Sequence, residues 1–231
     1  MKVWNLFEPA VEYLFPALCV HCKLEKRCDS FLCEGCRTEM LTDCKRGYRP
    51  HDMVFCLYRL TPVVRSLIHA LKYQGMTSVA MYLVQNYPGD LEEWGRTLTW
   101  IPVPVHPGRL RERGYNQSEC IARGLQAKVG GTVLNGILKR SRYAESQTKL
   151  AAQERRWNIA GSFTARPPVP PSVIIVDDVY TTGSTTAACE NALLRAGARS
   201  VRVVTLAYEP KGGAKDDWEL DQAYWRGNVI L

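Results

Sequence analysis

Two adjacent carboxylates, Asp177 and Asp178, stand just ahead of a turn built almost wholly of hydroxyl side chains: Thr181, Thr182, Gly183, Ser184 and Thr185. Carboxylates accept hydrogen bonds from sugar hydroxyls and share the charge of a divalent cation. Hydroxyls and exposed amides at a helix start, with one glycine that lets the backbone approach, donate to a phosphate monoester. Side by side, the two acids repel each other unless something accepts them, and vicinal ribose hydroxyls or a cation both do so. Acid pair followed by phosphate cradle therefore suits the two ends of one ribose 5-phosphate. The reading without a ligand is a strand end that caps an ordinary helix. No GxxxxGK[ST] run occurs, which argues against Walker-type nucleotide binding.

The second group of candidates is basic. Between residues 101 and 161 there are eleven Lys/Arg against four acids, an excess equal to the whole net charge of +7, so this stretch calls for an anionic partner. A loop carrying Val105, His106, Pro107 and Arg109, followed by Arg113, is stiffened by proline, and its guanidinium forks suit pyrophosphate. Residues 139–158 add Arg140, Arg142, Gln147, Lys149, Arg155 and Arg156. Each arginine alone is as compatible with a solvated helix face. Tyr115, Tyr143 and Trp157 interleave with them, so stacking of single-stranded nucleic acid remains a rival reading. Lys72 and Tyr73 close an apolar-faced helix, where a lysine serves either the helix dipole or a ligand. His106 is not nominated as a base.

Cys19-Val-His-Cys22 and Cys33-Glu-Gly-Cys36 are two C-x₂-C knuckles ten residues apart, the pattern of a tetrahedral Zn²⁺ site, with free thiols or disulfides as the alternatives. Cys28 and Cys44 are spare thiols within reach, which leaves the ligand choice open, and His21 is expected to be exposed. Seven of the nine cysteines precede residue 57, which separates residues 1–50, an amphipathic helix (Trp4, Phe7, Val11, Leu14, Leu18) plus a Cys₄ module, from a main domain over 51–231. Glu8 and Glu12 interrupt any apolar signal core, and no apolar run approaches the roughly 20 residues of a membrane span, so a cytoplasmic location is expected.

These groups need a scaffold, and the chain alternates strand-like and helix-like stretches. Strands are expected at 98–103, near 133–138, at 173–176 and at 201–207, with MVFCLYRL (53–60) as the first; helices follow Thr61-Pro62 and span 78–85, 117–128 and 184–196. The apolar run at 173–176 lacks alternation, as in a central strand covered on both faces. Alternating units predict a parallel, three-layer α/β sheet with ligands at the strands' carboxyl ends.

The run VIIVDDVYTTGST (173–185) resembles the signature of type I phosphoribosyltransferases, and IPVPVHPGRLRERGYNQS (101–118) resembles the hallmark of the ComF family, competence proteins of DNA uptake that carry such a domain. ALKYQG (70–75) and residues 138–163 extend the likeness over roughly residues 19–207. It implies a type I phosphoribosyltransferase-like fold with a small zinc-ribbon-like module, and Mg²⁺-dependent binding of 5-phosphoribosyl 1-pyrophosphate (PRPP). It implies too that residues 139–158 form a hood closing over the leaving group. Two functions stay open: a PRPP-dependent transferase of unknown acceptor, or a non-enzymatic competence factor that senses PRPP or binds single-stranded DNA beside a helicase.

Overall fold

The computed structural model describes residues 17–25, 30–42, 44, 47–89, 91, 99–140 and 162–210. After helix α1 (Glu34–Thr42), strands β1 (Tyr48–His51) and β2 (Val54–Arg59) form an antiparallel pair, then come helices α2 (Pro62–Tyr73) and α3 (Ser78–Asn86). Strand β3 (Thr99–Pro102), helices α4 (Pro107–Arg113) and α5 (Gln117–Val129), and strand β4 (Thr132–Val133) follow. Strands β5 (Leu138–Arg140), β6 (Phe163–Ala165) and β7 (Ser172–Tyr180), helix α6 (Ser184–Arg195) and strand β8 (Ser200–Tyr208) complete the described order.

One sheet runs β1-β2-β8-β7-β3-β4, parallel throughout except at the β1 edge, which folds back through the short Asp52-Met53 turn. Pleating sends Ile174 and Val176 of β7 into a cluster with α2, α3 and α5, while Val173 and Ile175 pack against α6 on the opposite face. Those four side chains are at most 1% exposed, which is why this strand shows no polar alternation. The expected three-layer α/β class is what forms.

Strand β3 connects outward to β4, whereas β7 connects to β8 on its other side. Their carboxyl ends therefore flank the crevice where strand order reverses, the place at which open α/β sheets bind ligands.

Two local expectations are corrected. The single strand near 133–138 is two: β4 stays in the sheet, but Gly136 at φ +79° turns the chain, and β5 pairs with β6 in a separate antiparallel ribbon. The loop at 107–113 is a short helix, because Pro107 stands at its first turn, His106 Nδ1 accepts from Gly108 N at 3.1 Å, and Gly114 closes it at φ +82°. His106 is thus engaged as a helix cap.

Residues of the cysteine segment share the core of α2 and α3: Cys19, Val20, Leu32, Cys36 and Met40 are buried there, and Phe31 meets Tyr82 edge-on at 5.3 Å. Trp4, Phe7, Val11 and Leu14 lie outside the described residues, and Leu18 forms an isolated antiparallel bridge with Glu25.

Candidate functional site

The strand expected to stop at 176 runs on to Tyr180, so Asp177 and Asp178, both buried, stand within β7 near its carboxyl end. Their repulsion is taken up by two helices. Lys72 Nζ, at the end of α2, donates to Asp178 Oδ1 at 2.6 Å, and Gln117 Nε2, at the start of α5, donates to Asp178 Oδ2 at 2.8 Å. Asp177 Oδ1 accepts from Ser118 Oγ at 3.1 Å and from the Asp178 amide at 2.9 Å. Asp177 Oδ2 has no hydrogen bond to the described residues. Burial, and next the charge of Asp178, push the Asp177 carboxyl up to about 7 against the opposing pull of the Asp178 amide, Lys72 and Ser118. A cation or sugar hydroxyl at the pocket side would favour the ionised form.

Beyond Tyr180 the chain turns into α6 through the hydroxyl-rich segment. Gly183 sits at φ +72°, and a β-carbon there would stand 2.5 Å from the Tyr180 hydroxyl, so only glycine suits this turn. Thr182 Oγ1 and Ser184 Oγ are 2.8 Å apart, and Gly183 supplies no side chain to cap the first amides of α6. The Ser184 amide leans on Thr182 Oγ1 at 3.4 Å, and the free first-turn amides and hydroxyls are of the type that can donate to an anion.

The third wall follows β3. Val103 N donates to Val176 O at 2.9 Å, tying the loop to β7, and Asn116 Nδ2 donates to Val103 O at 3.0 Å. Arg113 donates to Gln117 Oε1 and lies 5.4 Å from the centroid of the Tyr73 ring. Tyr115 donates its hydroxyl to Leu71 O, which commits that ring to the framework. Arg140 stands on β5 over the Phe163 ring at 5.3 Å, and its buried Nε has no hydrogen-bond partner among the described residues. Burial and the like charge of Arg109 lower its proton affinity, so an anion between the two guanidiniums would be stabilising.

A pocket of about 290 Å³ joins these walls. Of the residues singled out in the sequence, Lys72, Tyr73, Val105, His106, Arg109 and Arg113 line it, as do Arg140, Asp177, Asp178, Thr181 and Thr185. Thr182, Gly183 and Ser184 shape the turn behind it, and Pro107 starts α4. Arg142, Gln147, Lys149, Arg155 and Arg156 lie outside the described residues. Gln117 and Ser118 were not singled out; the Asn116 cap that begins α5 beside the acid pair was the available signal.

A second cluster comprises Cys19, Cys22, Cys33 and Cys36, whose sulfurs all lie within 4.8 Å of one another. Tetrahedral bonds of about 2.3 Å place thiolates about 3.8 Å apart, and Cys22 Sγ to Cys33 Sγ is 3.7 Å. These four can hold a metal ion, and their spacing suits zinc. Burial alone would raise the Cys19 thiol, but hydrogen bonds from the amides of Cys33, Cys22 and His21 bring it down to about 6, whereas burial and the neighbouring cysteines push the Cys36 thiol up, a conflict that a shared cation would relieve. Cys44 instead directs its thiol to Leu41 O at 3.4 Å, and Cys28 lies outside the described residues. His21, expected to be exposed, is half-buried, with Nδ1 2.9 Å from Ser66 Oγ on α2. No helix among the described residues is long and apolar enough to cross a membrane.

No family model matches the chain. Similar proteins are known. The DNA utilization protein YhgH of Escherichia coli O157:H7 is 30% identical over 199 residues, covering 80% of this chain and 88% of that protein. Competence protein F of Haemophilus influenzae is 35% identical over 111 residues, covering 46% and 48% respectively, and competence protein ComFC of Streptococcus pneumoniae is 24% identical over 185 residues, covering 75% and 79%. Among solved structures, a hypoxanthine-guanine phosphoribosyltransferase of Bacillus anthracis is 15% identical, covering 62% of this chain and 76% of that one at a TM-score of 0.36. With YhgH matched over most of its length, and the acid pair, hydroxyl turn and IPVPVHPGR loop meeting in one pocket, the chain belongs to the ComF family.

Proposed function

We propose that this chain binds PRPP with Mg²⁺ and serves DNA utilization or uptake. One observation carries the reading: a pocket of about 290 Å³ at the strand-order reversal is bounded by the acid pair, the hydroxyl turn and three arginines. That volume is at the small end of ligand sites and suits one phosphorylated sugar.

In this reading the amides and hydroxyls of residues 181–185 take the 5′-phosphate, Asp177 meets the ribose hydroxyls, and Arg109, Arg113 and Arg140 face the pyrophosphate. The Asp177 and Asp178 carboxylates also fit a divalent cation. Bound there, Mg²⁺ would supply charge neutralisation for the departing pyrophosphate. The cellular role is drawn from relatives named for DNA utilization and competence. Cys19, Cys22, Cys33 and Cys36 would hold a structural Zn²⁺ in a module over residues 1–50, with 51–231 as the ligand-binding domain in a cytoplasmic protein.

A second reading draws on the pocket's mouth. Tyr73 is 64% exposed, with the His69 ring at 4.9 Å and Arg113 over its face, a surface on which a base of single-stranded DNA could stack, delivered by a helicase partner.

Calorimetric titration with PRPP, ribose 5-phosphate and pyrophosphate, each with Mg²⁺, separates the contributions. PRPP should bind tightest, and each half measurably more weakly. Equal affinities for PRPP and pyrophosphate would mean that the acid pair and the hydroxyl turn hold nothing.

A further inference from the structure

Helix α2 touches both clusters. At its middle, Ser66 Oγ lies 2.9 Å from His21 Nδ1, and His21 stands between the metal-suited thiols Cys19 and Cys22. The serine hydroxyl gives its own proton to Pro62 O at 3.0 Å, so its lone pair is left to accept from the imidazole. Six residues further on, about 9 Å along the helix axis, Lys72 reaches Asp178, and Leu71 O receives the Tyr115 hydroxyl.

The inner face of α2 does not complete this fixation alone. Val63, Val64, Leu67 and Leu71 pack into a cluster that includes Cys19, Val20, Leu32, Cys36 and Met40 of the cysteine segment. A segment this short has little core apart from the one it shares with α2, so a metal bound at its four thiols would contribute directly to its form. Removing such a metal would loosen one of the surfaces against which α2 is held. The looseness would be felt at the end of the helix that carries Lys72 and Tyr73 into the pocket.

We propose that the cysteine cluster clamps α2, so that metal loading at Cys19, Cys22, Cys33 and Cys36 sets the position of Lys72 and with it the affinity of the acid-pair pocket. His21 and Ser66 are positioning residues in this arrangement and touch no ligand. The affinity part rests on the phosphoribosyl reading above; the coupling along α2 does not.

The test uses the full chain, zinc-loaded and after chelation, with two readouts: amide hydrogen exchange over residues 62–75 and calorimetric affinity for PRPP with Mg²⁺. Chelation should speed exchange at residues 70–75 and weaken PRPP at least about tenfold. In the zinc-loaded protein, Ser66→Ala should speed the same amides and weaken PRPP about two- to fivefold at unchanged zinc content, the worth of one hydrogen bond. Ser66→Thr, which keeps the hydroxyl, should restore both. Unchanged exchange at residues 70–75 after chelation overturns the clamp. If chelation unfolds the chain altogether, the serine variants decide, and identical exchange in Ser66→Ala and wild type is the overturning result. Absence of PRPP binding by zinc-loaded wild type removes the phosphoribosyl reading, while exchange still judges the coupling.

Discussion

Lys72 Nζ and Asp178 Oδ1 are 2.6 Å apart across 106 residues of sequence, joining the end of α2 to the end of β7. With Gln117 on its other oxygen, Asp178 has both carboxylate oxygens engaged, whereas Asp177 is held through Oδ1, and both acids line the pocket.

Replacing Lys72 by Met leaves a buried carboxylate with Gln117 as its remaining side-chain partner. Thermal unfolding should show a loss of about 1–3 kcal/mol, or roughly 2–10 °C in Tm. Adding Asp178→Asn to Lys72→Met should recover part of that loss, since the unpaired charge disappears. Strict additivity of the two changes would mean that the ion pair does not exist in solution.

Asp177 carries a pH signature. Its carboxyl rises from an ordinary 3.8 to about 7 in the folded chain, so the folded state binds the proton more tightly than the unfolded state does. Wild-type stability should therefore fall as pH rises from about 4 to about 7 and remain lowered above that. Asp177→Asn keeps an acceptor for Ser118 and for the Asp178 amide without the charge. Its Tm should match wild type near pH 4 and exceed it by a few degrees near pH 8. A gap of the same size at both pH values would refute this assignment.

Gly183→Ala places a methyl group against the Tyr180 hydroxyl at a positive φ. A cost of roughly 1–3 kcal/mol is expected, with loss of ribose 5-phosphate binding. Tyr180→Phe in the same chain removes the nearest clashing atom and should return part of the stability. Little of the affinity should return, because the strained backbone remains.

Metal analysis separates the thiols. Wild type should carry about one zinc per chain, Cys36→Ser should lose it, and Cys44→Ser should retain it, since Cys44 is turned towards Leu41 O. Zinc lost equally from both variants would place Cys44 among the ligands.

Much of this site could be read from sequence wherever neighbouring residues act together. The 173–185 segment carries strand, acid pair and turn in one stretch, and each cysteine knuckle is a local unit, the first a turn and the second the start of α1. What stayed hidden depends on distant packing. Gln117 and Ser118 reach the acids from a helix some 60 residues earlier, and periodicity does not say which helix start meets which strand end. Arg140, grouped by charge with the residues that follow it, stands instead on the β5–β6 ribbon in the pocket wall, a placement set by pairing with Phe163. The α4 helix was obscured by its opening proline and glycine, residues that suit a loop as well as a helix start.

The most direct measurement is calorimetry of zinc-loaded wild type and of Asp177→Asn/Asp178→Asn with PRPP and Mg²⁺. The account predicts saturable binding by wild type, and an affinity at least about tenfold lower in the double variant, the loss of roughly one charge-assisted hydrogen bond, in a chain that still melts cooperatively. Equal affinity in the two proteins, or no binding by wild type, would contradict it.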